Sequence, residues 1–155
     1  MTTETKQQAA SGYMTEERQM IRETAREFVR KEVLPVANRL DPVKGDIPRE
    51  LIAKMGEMGY FGILIPEEYG GLGLGYFEYC LVAEELARGW MSVASLIARG
   101  NNFYHSVPGT GEARRKKIED MAQGEYLGAF SMSEPNAGSD IASISCRARR
   151  EGGDW

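Results

Sequence analysis

The spacing of apolar residues changes at Gly124, and this change limits the folds that the chain can adopt. Before Gly124, apolar side chains recur about every three or four residues, which is typical of helices that bury one face. From Ala142 to Arg149, apolar and polar residues alternate instead, which is typical of a half-buried strand. The pattern predicts a mostly α fold, with a helical domain at residues 14–124 and the first strands of a β domain at residues 125–155.

Helix start and stop signals divide residues 14–124 into a series of helices. Thr15 can cap the first helix because its hydroxyl can accept a hydrogen bond from a free backbone N–H group. Pro35 should bend or restart this helix, since proline lacks the N–H group that the helix ladder needs. The later helices are expected at residues 48–58, 76–88, 92–98 or 92–105, and 111–123.

Two segments after Gly124 carry strand signals. The run from Tyr126 to Ser131 is short, contains aromatic residues and is flanked by turn residues. The run from Ala142 to Arg149 places its arginines on the solvated face of a strand. Gly152 then starts a turn and Trp155 would begin a return strand, so we expect a β domain that is truncated.

Charge and hydropathy argue against several classes of partner. The formal net charge is −4 and the pI is near 5.2, whereas nucleic-acid backbones are bound mainly by clustered Lys and Arg. Residues 1–13 are expected to form a flexible lead, and they lack the apolar segment of a secretory signal. No run is long and apolar enough to span a bilayer. The sequence therefore predicts a soluble, cytoplasmic protein that binds neither nucleic acid nor membrane.

The two cysteines, Cys80 and Cys146, lie in different predicted elements. Neither has the paired Cys or His spacing of a zinc site, and no disulfide framework is indicated. Free thiols fit a reducing compartment. We therefore expect no metal site, and we expect Cys80 to be a small core residue.

The segment SEPNAGSD combines two hydroxyls, a carboxylate and a turn. Ser133 and Ser139 supply the hydroxyls, Glu134 supplies the carboxylate, and Pro135 to Gly138 can form the turn. Clustered backbone amide groups in such a turn suit an anionic or strongly hydrogen-bonding ligand. For a lone segment of this composition, a purely structural turn after an edge strand is the commoner interpretation.

Three segments resemble the acyl-CoA dehydrogenase family. SMSEPNAGSD, at Ser131 to Asp140, is similar to the family's flavin-cradling motif. PEEYGGLGLG, at Pro66 to Gly75, and EELAR, at Glu84 to Arg88, resemble the same family in the same order. The resemblance extends from about Met14 onward. It implies the family's N-terminal helical domain followed by the start of its middle β domain.

The resemblance implies an FAD site in the stretch Phe130, Ser131, Met132 and Ser133, whose backbone would lie against the flavin ring. The amide or hydroxyl of Ser133 would lie near N5 of the flavin. The family usually has threonine at this position, and serine keeps the hydroxyl while losing the methyl group that restricts its rotamer. Ser139 matches the family serine that contacts the bound cofactor or the acyl-CoA substrate.

The same resemblance implies α,β-dehydrogenation of an acyl-CoA thioester to the trans-2-enoyl-CoA, with electrons passing to an electron-transfer flavoprotein. Glu134 matches a motif glutamate that does not abstract the substrate proton, because the family's base lies in a C-terminal helical domain. We therefore assign no catalytic residue in this chain and expect it to be inactive alone. A homo-oligomer, dimer or tetramer, is implied for the full-length enzyme.

Alternatives of the same fold are acyl-CoA oxidases and flavin monooxygenases. A non-catalytic helical module, or a subunit that contributes half a flavin site, is the alternative from another class. The basic run Arg114 to Lys117 could attract coenzyme A phosphates, although a solvated helix face is the commoner explanation. His105 is given no functional role. The preferred acyl length and branching are not indicated by these residues.

Overall fold

The structure, a computed structural model, describes residues 12–129 and 131–152, and its regular elements are helices. The α-helices are α1 (Glu16–Phe28), α2 (Leu34–Leu40), α3 (Arg49–Glu57), α4 (Tyr76–Gly89), α5 (Met91–Asn101) and α6 (Gly111–Ala122). Short 3-10 turns occupy Asp41–Val43, Glu67–Tyr69, Tyr104–Ser106 and Ile141–Ser143. The prediction of a mostly α chain is confirmed.

A π-helical turn at Val29–Val33 joins α1 to α2. Thr15 caps α1 as predicted, with its hydroxyl accepting a hydrogen bond from the Arg18 N–H group at 3.2 Å. Pro35 lies in the first turn of α2, and the Leu34 N–H group donates to the Val29 carbonyl, five residues back. The predicted restart of the helix at proline therefore takes the form of a widened turn just before it.

The main core forms where α1, α4 and α5 pack together, with α3 and residues 60–63 closing it. Its fully buried side chains include Val33, Met55, Phe61, Leu86 and Ile97. A smaller cluster joins α6 to the segment around Ile65. Burial of apolar surface is the dominant stabilising contribution in such a helical bundle.

The glycine-rich segment predicted as a loop is compact. The Leu72 N–H group donates to the Gly62 carbonyl at 2.8 Å, and the Leu74 N–H group donates to the Ile63 carbonyl at 2.8 Å. A Cβ atom at Gly71 would lie 2.0 Å from the Ile65 carbonyl oxygen, so no larger residue fits there. The predicted close backbone contacts are therefore present, and the segment packs as part of the helical domain.

Both predicted strands are absent from the described residues, so these two predictions are wrong. Neither 125–129 nor 131–150 contains a strand, and Ile141–Ser143 forms a 3-10 turn instead. The β-bridge that the structure describes in this region joins Glu134 to Ala137. A strand needs a neighbouring strand for its backbone groups, and none is described beside residues 142–149.

Cys80 is exposed rather than part of the core. The buried face of α4 is formed by Glu78, Leu81, Val82, Glu85 and Leu86. Cys80 lies between these positions on the helix surface, so helical geometry turns it away from the core. The two carboxylates on the buried face are the feature that the sequence interpretation missed.

Candidate functional site

A turn forms at Glu134 to Ala137, one residue before the predicted Pro135 to Gly138. The Glu134 N–H group donates to the Ala137 carbonyl at 2.8 Å, and the Ala137 N–H group donates back to the Glu134 carbonyl at 3.2 Å. Ala137 is buried. Reciprocal backbone bonds fix the four residues as one unit, which places the two serines that flank the turn.

The carboxylate of Glu134 is tied to residues further along the chain. Its Oε2 accepts hydrogen bonds from the Ser145 N–H group at 3.0 Å and the Ser145 hydroxyl at 2.9 Å. Its Oε1 accepts one from the Cys146 N–H group at 2.7 Å. The backbone hydrogen bond from Ser145, followed by those from Cys146 and the Ser145 hydroxyl, lowers the pKa of Glu134. The structure therefore holds this carboxylate as an acceptor, a role unlike that of a catalytic base.

The hydroxyls of Ser133 and Ser139 lie on the surface at either side of this turn. Within the described residues, neither hydroxyl makes a hydrogen bond, so the alternative in which Ser139 caps the turn is not supported. Ser131 is exposed and Met132 is partly buried. Phe130, the remaining residue of the predicted contact stretch, lies outside the described residues.

Two ion pairs between α1 and α4 are the polar feature that sequence reasoning missed. Arg26 binds Glu85 through both carboxylate oxygens, at 3.2 and 2.7 Å, and Glu85 is buried. Arg18 binds Glu78 at 2.6 Å, and the second oxygen of Glu78 accepts the Gly75 N–H group at 3.0 Å.

The arginine hydrogen bonds lower the pKa of both glutamates. The signal was present in the sequence: Glu78 and Glu85 lie two helical turns apart on the apolar side of α4, and Arg18 and Arg26 recur with nearly the same spacing on α1. Matching acidic and basic spacings on two helices is a usable indication that the helices pack side by side.

The basic run on α6 is engaged by neighbouring residues. Arg114 donates to the backbone carbonyl of Val107 at 3.2 Å. Arg115 pairs with Glu119 at 2.9 Å, and Lys116 pairs with Asp120. These contacts favour the interpretation of this run as a solvated helix face over a phosphate-binding cluster.

Two cavities of the described structure lie apart from the serine-containing turn. One, about 760 Å³, is open and lies between α3 and residues 123–127. A second cavity of about 330 Å³ is mostly apolar and lies against α1 and α4. No residue from 131 to 133, and not Ser139, lines either of them.

The described residues contain neither a metal-binding cluster nor a membrane-spanning helix. No cluster of His, Cys, Asp or Glu side chains suited to a metal ion occurs there. In the same part of the chain, no helix combines the length and the hydrophobicity needed to cross a membrane.

Similarity to known proteins is high over most of the chain. Residues 15–125 match the family model of the acyl-CoA dehydrogenase N-terminal domain. The short-chain specific acyl-CoA dehydrogenase of Rattus norvegicus is 35% identical over 145 residues, covering 92% of this chain and 35% of the relative. The 3-(aryl)acrylate reductase of Clostridium sporogenes is 36% identical over 144 residues, covering 90% of this chain and 38% of the relative. The structure of glutaryl-CoA dehydrogenase from Mycobacterium smegmatis matches with a TM-score of 0.79 at 30% identity, covering 90% of this chain and 36% of that one.

The chain belongs to the acyl-CoA dehydrogenase family. The resemblance inferred from the sequence motifs is therefore confirmed. The chain spans slightly more than a third of the length of the relatives it matches. The division into domains at residues 13 and 124 and the assignment of the cofactor contacts both stay predictions.

Proposed function

We propose that this chain is the N-terminal part of an FAD-dependent acyl-CoA dehydrogenase that converts an acyl-CoA thioester to the trans-2-enoyl-CoA. The observation that carries the proposal is the turn at residues 134–137, which presents the hydroxyls of Ser133 and Ser139 at the surface without a partner in the described residues. The likeness of SMSEPNAGSD to the family's flavin-cradling motif supports placing the cofactor at this turn. Free hydroxyls beside a fixed turn fit a ligand rich in hydrogen-bonding groups.

In this proposal the residues of the turn hold and orient the cofactor. The backbone of Phe130, Ser131 and Met132 would lie along the flavin ring, and Ser133 would donate a hydrogen bond to it. FAD, when bound, supplies the hydride acceptor. Ser139 would contact the cofactor or the acyl-CoA. Hydrogen bonds from this chain are worth most where negative charge develops on the ring, which is why the Ser133 hydroxyl is given that role.

Proton abstraction from the substrate is not assigned to any residue of this chain. Glu134 is the carboxylate beside the proposed site, but its three hydrogen bonds lower its pKa and so make it a weaker base. A general base must lie within reach of the proton that it removes, and these bonds hold the carboxylate on Ser145 and Cys146. An electron-transfer flavoprotein as electron acceptor, a dimeric or tetrameric assembly and a cytoplasmic location complete the proposal.

A second candidate function is the reverse reaction, reduction of the double bond. The relative named 3-(aryl)acrylate reductase is 36% identical to this chain, much like the 35% of the short-chain dehydrogenase. Reduction of an α,β-unsaturated acid or thioester is therefore the alternative activity. Both candidates need the same flavin site, so they differ in substrate and in the redox partner.

The full-length protein tests both candidates in one series of measurements. We expect the purified protein to be yellow, to be bleached by a saturated acyl-CoA, and to form enoyl-CoA with an artificial electron acceptor. Bleaching by the saturated thioester supports the dehydrogenase. Reoxidation of chemically reduced enzyme by an arylacrylate, without bleaching by any acyl-CoA, supports the reductase. A colourless protein that binds no added FAD contradicts both candidates.

A further inference from the structure

Residues 131–152 are mostly exposed and have little contact with the core. Among residues 131–152, Ala137 is the one buried residue in the described structure, and most of the others are exposed. A segment of this kind cannot depend on apolar burial for its shape. Its own hydrogen bonds must therefore fix the positions of Ser133 and Ser139.

Those hydrogen bonds form short closures in two places and one long closure between them. Glu134 and Ala137 close the first turn. The second is closed by the Ser143 N–H group, which donates to the Asp140 carbonyl, and by the Ile144 N–H group, which donates to the Ile141 carbonyl, each at 3.2 Å. Each of these closures spans three residues. The long closure is made by the Glu134 carboxylate, whose bonds to Ser145 and Cys146 span 11 and 12 residues. It joins the two turns into one closed loop.

We propose that Glu134 is a positioning residue: its carboxylate closes the loop 134–146 and thereby sets where the adjacent Ser133 presents its hydroxyl and amide. Ser133 is bonded directly to Glu134, so a change in the closure is passed to it through one peptide unit. The expected effect on the bound flavin rests on the proposed function. The closure itself is a property of the described residues and can be measured separately.

Hydrogen-bond chemistry explains why a carboxylate is needed at this position. All three partners of Glu134 are donors, and two of them are backbone N–H groups. An ionised carboxylate accepts at both oxygens, whereas a glutamine amide would present its own N–H group to one of these donors. Glu134→Gln keeps the size of the side chain but breaks at least one of the three bonds.

The loop closure is tested by hydrogen exchange at the Ser145 and Cys146 amides of the full-length protein, in its apo form. We expect Glu134→Gln to speed exchange at these amides by about threefold to tenfold, and Ser145→Ala, which removes the hydroxyl donor, to have a smaller effect. Glu125→Gln is the matched control, because Glu125 is exposed and makes no hydrogen bond through its side chain in the described structure. Unchanged exchange in Glu134→Gln overturns the closure.

The positioning role is tested by the visible spectrum of bound flavin. We expect Glu134→Gln to shift the flavin bands and to raise the dissociation constant of FAD by about threefold to tenfold, with Glu125→Gln matching the wild type. If Glu134→Gln has the flavin spectrum of the wild type but faster amide exchange, the closure exists without positioning Ser133. That result would overturn the proposal. If the wild type itself binds no FAD, the proposed function fails, while the exchange result still decides the closure.

Discussion

At the scale of single residues, Ser133 and Ser139 differ in what the proposed function asks of them. Ser133 is assigned to the flavin ring, which gains negative charge on reduction. A hydrogen bond to a charged group is worth about 1.5 to 3 kcal/mol, so Ser133→Ala should slow flavin reduction by roughly tenfold or weaken FAD binding. Rapid-mixing measurement of the reductive half-reaction checks this expectation. A reduction rate and flavin occupancy equal to those of the wild type would make the hydroxyl incidental.

Ser139→Ala should act on affinity rather than on the rate of reduction, because Ser139 is assigned to contact with the cofactor or the acyl-CoA. Titration of the full-length protein with FAD and with an acyl-CoA measures both affinities. Equal dissociation constants in the variant and the wild type would remove Ser139 from the site.

Asn101 is the residue on which the packing of the glycine-rich segment most depends. Its Oδ1 accepts the Leu64 N–H group at 2.8 Å, and its Nδ2 donates to the Tyr60 and Ile97 carbonyls, each at 2.8 Å. Asn101 is 1% exposed. Asn101→Leu keeps the volume but leaves buried backbone groups without partners, which costs about 1–3 kcal/mol for each such group.

Urea unfolding of the full-length protein measures this cost, and we expect Asn101→Leu to lower the unfolding free energy by at least about 2 kcal/mol. Asn38→Leu is the control, since Asn38 is an exposed residue of α2 and surface changes usually stay within about 0.5 kcal/mol. Similar decreases in unfolding free energy in the two variants would show that the hydrogen bonds of Asn101 do not contribute to stability.

At the scale of elements, the ion pairs between α1 and α4 predict a pH-dependent contribution to stability. The pKa of Glu85 is lowered in the folded protein, chiefly by its hydrogen bond from Arg26. A lowered folded-state pKa contributes stability above the unfolded pKa of about 4.3, and the contribution is lost as the pH falls through the folded value. Glu85→Gln should therefore destabilise the protein at pH 7 by about 1–2 kcal/mol and have less effect near pH 3.

Glu84→Gln is the matched control for Glu85→Gln. Glu84 is the neighbouring residue on α4, and its pair with Arg88 is exposed on both sides. Exposed pairs contribute about 0–1 kcal/mol, so this variant should stay close to the wild type. Chemical unfolding at both pH values separates the two cases. An effect of Glu85→Gln that does not change between pH 7 and pH 3 would show that the charge of Glu85 is not its cause.

Local signals in the sequence predicted most of the helical elements, because capping residues and apolar spacing act within a few residues. The start of α1 at Thr15 and the α6 helix, predicted at 111–123 and observed at Gly111–Ala122, are examples. Strand prediction failed at residues 142–149, since alternation predicts a strand only where a neighbouring strand supplies hydrogen bonds. The candidate site shows the same difference between local and distant signals. A turn near residues 134–137 was predictable from neighbouring residues, whereas the closure by Glu134 was not, because its partners lie 11 and 12 residues away.

At the scale of the whole molecule, the 155-residue chain made alone should neither hold FAD tightly nor turn over any acyl-CoA, even if its helices fold. The residues assigned to the flavin come from one short stretch of mostly exposed residues, and none of the described ones lines the cavity beside α3 or the cavity against α1 and α4. Cofactor sites usually bury most of the ligand surface, which one wall cannot do. Glu134, the carboxylate beside this stretch, is bonded through its two oxygens to Ser145 and Cys146, and the lack of a positioned base removes about a hundredfold to ten-thousandfold of rate.

The visible spectrum of the purified chain, and incubation with acyl-CoA thioesters of several lengths and an artificial electron acceptor, check this prediction. The full-length protein under the same conditions is the positive control. We expect no flavin absorbance after gel filtration and no enoyl-CoA from the 155-residue chain. Stoichiometric flavin, or steady formation of enoyl-CoA, would mean that this chain contains a complete site. The carboxylate that acts as base would then have to be sought among its own residues, with Glu134 the first to be substituted.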